Sequence, residues 1–105
     1  MQNKVLVIQN ALTQLEGQIQ TSSLSQEMKC LSLDRVRKVD IQLLAELSLR
    51  ASTPLTRNNL MYILCFLAGL PTKSIASIFH VEPATVLTSR YRLRARFQKT
   101  GILNF

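Results

Sequence analysis

The residues best suited to act on another molecule are cations near the end of the chain. Residues 90–99 carry five positive side chains and no acid, namely Arg90, Arg92, Arg94, Arg96 and Lys99. The formal net charge is +7 and it is unevenly distributed: residues 1–53 have six Lys/Arg against five Asp/Glu, and residues 54–105 have seven against Glu82 alone. A basic half joined to a nearly neutral half favours a polyanionic partner for the basic half.

Side chains typical of catalysis or metal binding are scarce. His80 is the only histidine, and Cys30 and Cys65 lack metal-ligand spacing. Cys65 lies in the apolar run 60–68, where a reduced thiol packs as a small hydrophobe. The chain also lacks a Gly-rich phosphate loop. We therefore expect no enzyme activity, no metal, no cofactor and no small-molecule substrate.

The composition predicts a helical globular protein. The apolar content of 47% is ordinary for such proteins, and only three Gly and three Pro interrupt the chain. The apolar runs stay well short of the roughly 20 residues of a membrane span. We therefore expect an all-α cytoplasmic protein with reduced cysteines and no membrane partner.

The first predicted helix runs from Lys4 to about Gln20. Its apolar residues have the 3-4 spacing of a coiled coil: Val5, Ile8, Leu12, Leu15 and Ile19. About two heptads are too few for stability in isolation, so this helix must pack on the rest of the chain or on a second copy. Both alternatives stay open, and the five residues are the candidate homodimer interface.

Residues 24–51 have helical spacing that fits either one bent helix or two. Ser23 with Gln26 has capping-box spacing, and Ser32 is the predicted N-cap of a further helix that ends at about Arg50. Pro54 disfavours helix in the residue before it, and the charge excess begins at this point. The sequence therefore predicts two parts: a coiled-coil-like helical segment for packing or dimerisation over residues 1–53, and a helix-turn-helix bundle over residues 54–105.

Three helices are predicted after Pro54. The first is capped by Thr56 and runs through Ala68, and Gly69 terminates it. Its predicted buried residues are Leu60, Ile63, Leu64 and Leu67. The second covers residues 73–79 with Thr72 as its N-cap, and its inward residues are Ile75, Ala76 and Phe79. The third follows a turn at residues 80–83 and runs from Pro83 to about Gln98.

The last predicted helix has two distinct sides. Val86, Leu93 and Phe97 share one side and should anchor it to the core. A short helix, a tight turn and a longer basic helix are the elements that place the second helix in the DNA major groove. Thr88, Tyr91 and Arg92 lie on the opposite side, with Ala84 and Leu87 near its edge, and these five are the candidate base-reading residues. The candidate phosphate-binding residues are Thr72, Lys73, Thr85, Arg90, Arg94 and Arg96. A basic solvated helix in an ordinary bundle is the alternative.

Residues 55–97 resemble the LuxR-type helix-turn-helix. The motifs that match in register are Leu55-Thr56, Ala68-Gly69-Leu70, Lys73-Ser74-Ile75-Ala76 and Ala84-Thr85-Val86. Residues 89–97 are especially similar to a subgroup common in Bacteroidetes regulators, whose recognition helices end in an Arg-Tyr-Arg-Leu-Arg run. The resemblance implies a transcriptional regulator that binds double-stranded DNA as a homodimer, on half-sites about one helical turn apart.

The chain departs from that family pattern at several positions. Ser74 stands where the family usually has Glu, and Leu87 and Ser89 stand where many members have polar readers. Residues 98–105 barely accommodate the family's fourth helix, which makes residues 1–51 the better candidate for pairing. These departures leave a second hypothesis, an adaptor that keeps the fold and binds protein instead of DNA. A promoter-reading domain like region 4 of sigma factors is a related alternative.

Overall fold

A computed structural model describes residues 4–49 and 54–97 of the chain, and within these ranges it contains six α-helices and no strand. The helices are α1 Lys4–Thr21, α2 Gln26–Arg37, α3 Ile41–Ser48, α4 Arg57–Leu67, α5 Thr72–Phe79 and α6 Pro83–Arg96. The all-α prediction is confirmed. In the described part of the chain, no helix has the length and apolar content needed to cross a membrane.

Several predictions fall on residues outside the described ranges. They are the boundary at residues 51–53, the end of one helix at Arg50, the end of another at Gln98, the cation Lys99 and the segment 98–105.

Helix α1 lies at the centre of the fold and packs on α2, α3, α4 and α5. Ile8, Leu15 and Ile19 are buried within the single chain, and Val5 and Leu12 pack against the same core. Of the two alternatives for α1, the structure has the one in which the helix packs on the rest of its own chain. Ile8, Leu15 and Ile19 have no surface left for a second copy, which argues against a homodimer interface at these three positions, whereas Val5 and Leu12 are half-buried and keep part of their surface.

The hydrophobic core crosses the predicted division near residue 53. Leu15 of α1 and Ile75 of α5 belong to the same buried cluster. The side-chain amide Nε2 of Gln18 also donates to the backbone oxygen of Ile78, at 3.4 Å. The two halves of the sequence thus differ in charge but share one core, and α1 directly supports the helices of the basic half.

The helix starts between residues 22 and 41 differ from the predicted ones. Ser25, not Ser23, is the N-cap of α2, and its hydroxyl accepts from a backbone N–H three residues on. Ser32 is buried inside α2, so it caps nothing, and Asp40 caps the separate helix α3. Both Ser and Asp side chains cap helices well, so residue type and spacing alone did not identify which of these residues cap α2 and α3.

Helix α4 begins at the predicted cap. The Thr56 hydroxyl accepts from the backbone N–H of Asn59 at 3.1 Å, and Asn59 Oδ1 accepts from the backbone N–H of Thr56 at 3.2 Å. Gly69, with a φ of +72°, follows the end of the helix as predicted. The predicted buried face is too narrow, because α4 packs against α1, α2 and α6 at once. Leu67 is exposed instead, and four further side chains of α4 are buried: Met61, Tyr62, Cys65 and Phe66.

Candidate nucleic-acid interface

A short helix, a turn and a longer helix form the basic end of the molecule, as predicted. Helix α5 ends at Phe79, and the next residue, His80, adopts the left-handed conformation with φ 55° and ψ 45°. The backbone N–H of Val81 donates to the oxygen of Ala76 at 3.0 Å and closes the turn. This is the αL termination usual for helices, with histidine where glycine is commonest. His80 therefore has a conformational role in the turn between α5 and α6.

The two helices pack on each other, and the start of α6 is set by its sequence. Pro83 occupies the first turn, where its missing N–H breaks no hydrogen bond. The backbone oxygen of Glu82 accepts from the N–H of Thr85 at 2.9 Å, but its carboxylate makes no capping hydrogen bond. Helix α5 likewise has no side-chain cap, and Thr72 is its first residue rather than its N-cap.

Helix α6 has one buried side and one exposed side. Val86, Leu93 and Phe97 are buried, which confirms the predicted anchors. The five candidate base-reading residues are all exposed and share the opposite side, which we call the outer face: Ala84, Leu87, Thr88, Tyr91 and Arg92. The two largest apolar side chains of this face, Tyr91 and Leu87, are 75% and 53% exposed within the described part of the chain.

The arginines beside the outer face differ in their contacts. The guanidinium carbon of Arg90 lies 5.5 Å from the centroid of the Phe66 ring, a cation–π distance. Its Nε is buried and has no hydrogen-bond partner within the described part of the chain. Arg96 Nη1 donates to Asn59 Oδ1 at 3.0 Å. Both side chains are therefore positioned by α4, as expected for arginines that reach sideways, and Arg94 is exposed.

The remaining candidate phosphate-binding residues lie near the starts of α5 and α6. Thr72 is half-buried, whereas Lys73 and Thr85 are exposed. The N-terminal turn of a helix presents unpaired backbone N–H groups that favour anions. Lys73 thus adds a cation near one such turn.

An aromatic cluster beneath α6 was missed in the sequence. Tyr62 stacks on Phe79 with ring centroids 4.1 Å apart, and Phe66 lies 5.9 Å from Tyr62. Burial raises the pKa of Tyr62, and a side-chain hydrogen bond with Ser89 of α6 partly offsets that shift. Ser89 is thus turned towards the core side and is not a member of the outer face. The available signal was the Tyr-x-x-x-Phe spacing of α4, which places both rings on one side of the helix.

The cysteines and the possible metal ligands of the described residues form no cluster. Cys65 is buried, and burial raises the pKa of its thiol to about 12, so it stays protonated at neutral pH. Cys30 is exposed. Within residues 4–49 and 54–97, no three His, Cys, Asp or Glu side chains lie together in a way that could hold a metal ion.

Comparison with protein-family models, with curated proteins and with solved structures found no match to this chain. The resemblance to the LuxR-type helix-turn-helix therefore stays a prediction from the motifs.

Proposed function

We propose that this chain is a sequence-specific DNA-binding transcriptional regulator of the LuxR type that acts in the cytoplasm. In this proposal α6 enters the major groove and α5 supports it from behind. The observation that carries it is the two-sided character of α6. One side is fixed to the core by Val86, Leu93 and Phe97, and the side chains of the other are exposed within the described part of the chain.

The charge of α6 supports a nucleic acid as that ligand. The helix contains four arginines and no acid, and the whole segment 54–105 has a single acidic residue, Glu82. Sequence-independent attraction to phosphates supplies much of the affinity of DNA-binding proteins. A rigid helix flanked by cations on both sides has the charge that a groove between two phosphate backbones requires.

The roles of the side chains follow from their positions. Residues of the outer face would contact base edges, since they are the part of α6 farthest from the core. Arg94 and Lys73, both exposed, would contact phosphates, with Thr72 and Thr85 near them. Arg90 and Arg96 would bind phosphates from positions set by Phe66 and Asn59, because a guanidinium has several N–H donors and one contact leaves others available.

Binding as a homodimer to paired half-sites is part of the proposal, by the resemblance to the family. The stripe of α1 is buried inside the chain, so pairing would use other residues. A bound DNA sequence with two half-sites about one helical turn apart would show that the protein binds as a dimer.

The test is selection from a random-duplex pool at about physiological salt, followed by sequencing of the retained DNA. We expect a motif made of two related half-sites. If each protomer neutralises about four phosphates, log K falls with log salt with a slope of about −3.6 per protomer, so fourfold dilution tightens binding about a hundredfold. Retention without a motif would reduce the function to electrostatic binding, and no retention at low salt would contradict the proposal.

A second candidate function is a protein-interaction adaptor that no longer reads DNA. The exposed apolar side chain of Leu87 and the inward hydrogen bond of Ser89 favour it, because they stand where polar readers are expected. The same selection distinguishes the two functions, since an adaptor should retain no duplex beyond weak, sequence-independent binding.

A further inference from the structure

The outer face of α6 is chemically unlike a surface that reads bases by hydrogen bonds alone. Ala84, Leu87 and most of the Tyr91 side chain present carbon to the surroundings, and all three are exposed. Arg92 is the only charged residue among the five. Apolar contact is therefore a large part of what this face offers, beside the Tyr91 hydroxyl and the Arg92 guanidinium.

Thr88 extends the apolar character of the face. Its hydroxyl Oγ1 donates to the backbone oxygen of Ala84, one turn earlier, at 3.0 Å. The hydroxyl proton is thus already used, and Thr88 cannot donate to a base without breaking this bond. Its methyl group remains available for contact.

The major groove offers one apolar group to such a face. Thymine carries the C5-methyl group, whereas guanine presents two acceptors that suit Arg, and adenine presents an acceptor and a donor that suit Asn or Gln. The outer face has neither Asn nor Gln. Its carbon-rich side chains therefore match the methyl group of thymine, and Arg92 matches guanine.

We propose that the outer face of α6 selects thymine-containing steps through apolar contacts of Leu87, Thr88 and Tyr91 with thymine methyl groups. This inference rests on the proposed DNA-binding function and names the bases that it recognises. The charge of the surroundings favours DNA over a protein as the occupant, because α6 has four arginines and no acid to pair with a mixed protein surface. The predicted motif has at least one thymine per half-site that is essential for its methyl group.

The test replaces each thymine of the selected motif, one at a time, by uracil. Uracil lacks only the methyl group and keeps the same pairing and the same O4 acceptor. At the contacted positions we expect a loss of affinity of about fourfold per methyl group, which corresponds to about 0.8 kcal/mol. Uracil outside the motif should leave the affinity unchanged.

Protein variants assign the effect to the outer face. In Leu87→Ala the affinity for the thymine duplex should fall, and at one position the penalty for uracil should shrink towards none. The matched control is Leu43→Ala on α3, a leucine with 48% exposure on a helix that packs on α1. This variant should keep both the affinity and the full penalty.

The outcomes separate the inference from the function on which it rests. A selected motif without thymine, or one in which no uracil substitution weakens binding, would overturn the inference and leave DNA binding intact. Retention of DNA without any motif would also overturn it. No retention of duplex at low salt would overturn both, and the apolar outer face would then belong to a protein contact.

Discussion

Helices α1 and α6 both carry apolar residues at helical spacing, but the two helices use them differently. The stripe of α1 is buried, with Leu15 at its centre, and α1 contacts four other helices. Within the described part of the chain, helix α6 buries only one side and leaves Leu87 and Tyr91 exposed on the other. The first pattern is what folding requires, whereas the second has apolar surface that folding does not use.

This difference separates stability from binding. Changes to the buried stripe of α1 should alter the free energy of unfolding, and changes to the outer face of α6 should alter the affinity for a ligand. A residue that belonged to both groups would blur the distinction. Arg96 belongs to neither group but combines both roles, since it contacts Asn59 of α4 and is a candidate phosphate-binding residue.

The largest effect is expected at the buried centre of α1. Leu15→Ala should lower the free energy of unfolding by about 2–5 kcal/mol, because it leaves a cavity in a fully packed site. Denaturant titration measures this change. The control is Leu6→Ala on the same helix, where the side chain is 53% exposed and the cost should be about 0.5 kcal/mol or less. A Leu15→Ala variant that kept its stability but lost a concentration-dependent dimer would restore α1 as a dimer seam.

The next effect concerns two arginines of α6. Arg92→Ala should lose about 1–3 kcal/mol of binding to the preferred sequence and relax the preference at one base pair, since it removes the proposed base contact. Arg94→Ala should weaken binding to all sequences alike and reduce the salt slope by about one, since it removes the proposed phosphate contact. Fluorescence anisotropy with preferred and scrambled duplexes distinguishes them. If the two variants exchanged behaviours, the assignment of faces on α6 would be incorrect.

A smaller effect is expected where α4 meets α6. Asn59→Ala should lower the free energy of unfolding by about 1 kcal/mol, because it removes both its hydrogen bond in the capping box and the acceptor for Arg96. A double-mutant cycle with Arg96→Ala isolates the second contact. Asn59→Asp keeps an oxygen acceptor and should retain most of the coupling. Additive single effects in the cycle would show that Asn59 does not position Arg96.

The smallest effect on folding is expected on the outer face itself. Leu87→Ala should change the free energy of unfolding by about 0.5 kcal/mol or less, although it removes a large apolar side chain, because that side chain is exposed in the folded chain. Thermal and denaturant unfolding measure it. A loss of more than about 2 kcal/mol would mean that Leu87 packs in a core, and the comparison of α1 with α6 would fail.

The sequence predicted the positions of the helices better than the contacts between them. The 3-4 spacing of apolar residues located α1. Pro54, Gly69 and Pro83 located the helix boundaries in residues 54–97, because these signals act within a few residues. Ser23 and Ser25 are both residues that cap helices well, and α2 begins after Ser25. Residue type and spacing alone could not decide between them.

In the candidate site, too, the features of a single helix were predictable and the contacts between helices were not. The outer face and the buried anchors of α6 follow from the geometry of one helix, and periodicity predicted both. The contacts of Arg90 with Phe66 and of Arg96 with Asn59 join residues more than twenty positions apart in the sequence. They depend on how α6 crosses α4, which no local pattern encodes. The partner of the α1 stripe was undecided for the same reason.

The most direct test of the central claim, that the outer face of α6 binds DNA, is an NMR titration of the labelled protein with a short mixed-sequence duplex at low salt. Backbone and side-chain methyl signals report each helix separately. We expect the shifts to concentrate on the outer face of α6 and near Lys73 at the start of α5, while Leu15 and Leu44, both buried, keep their signals unchanged. Shifts confined to α2 or α3, or no shifts at a large excess of duplex, would contradict it.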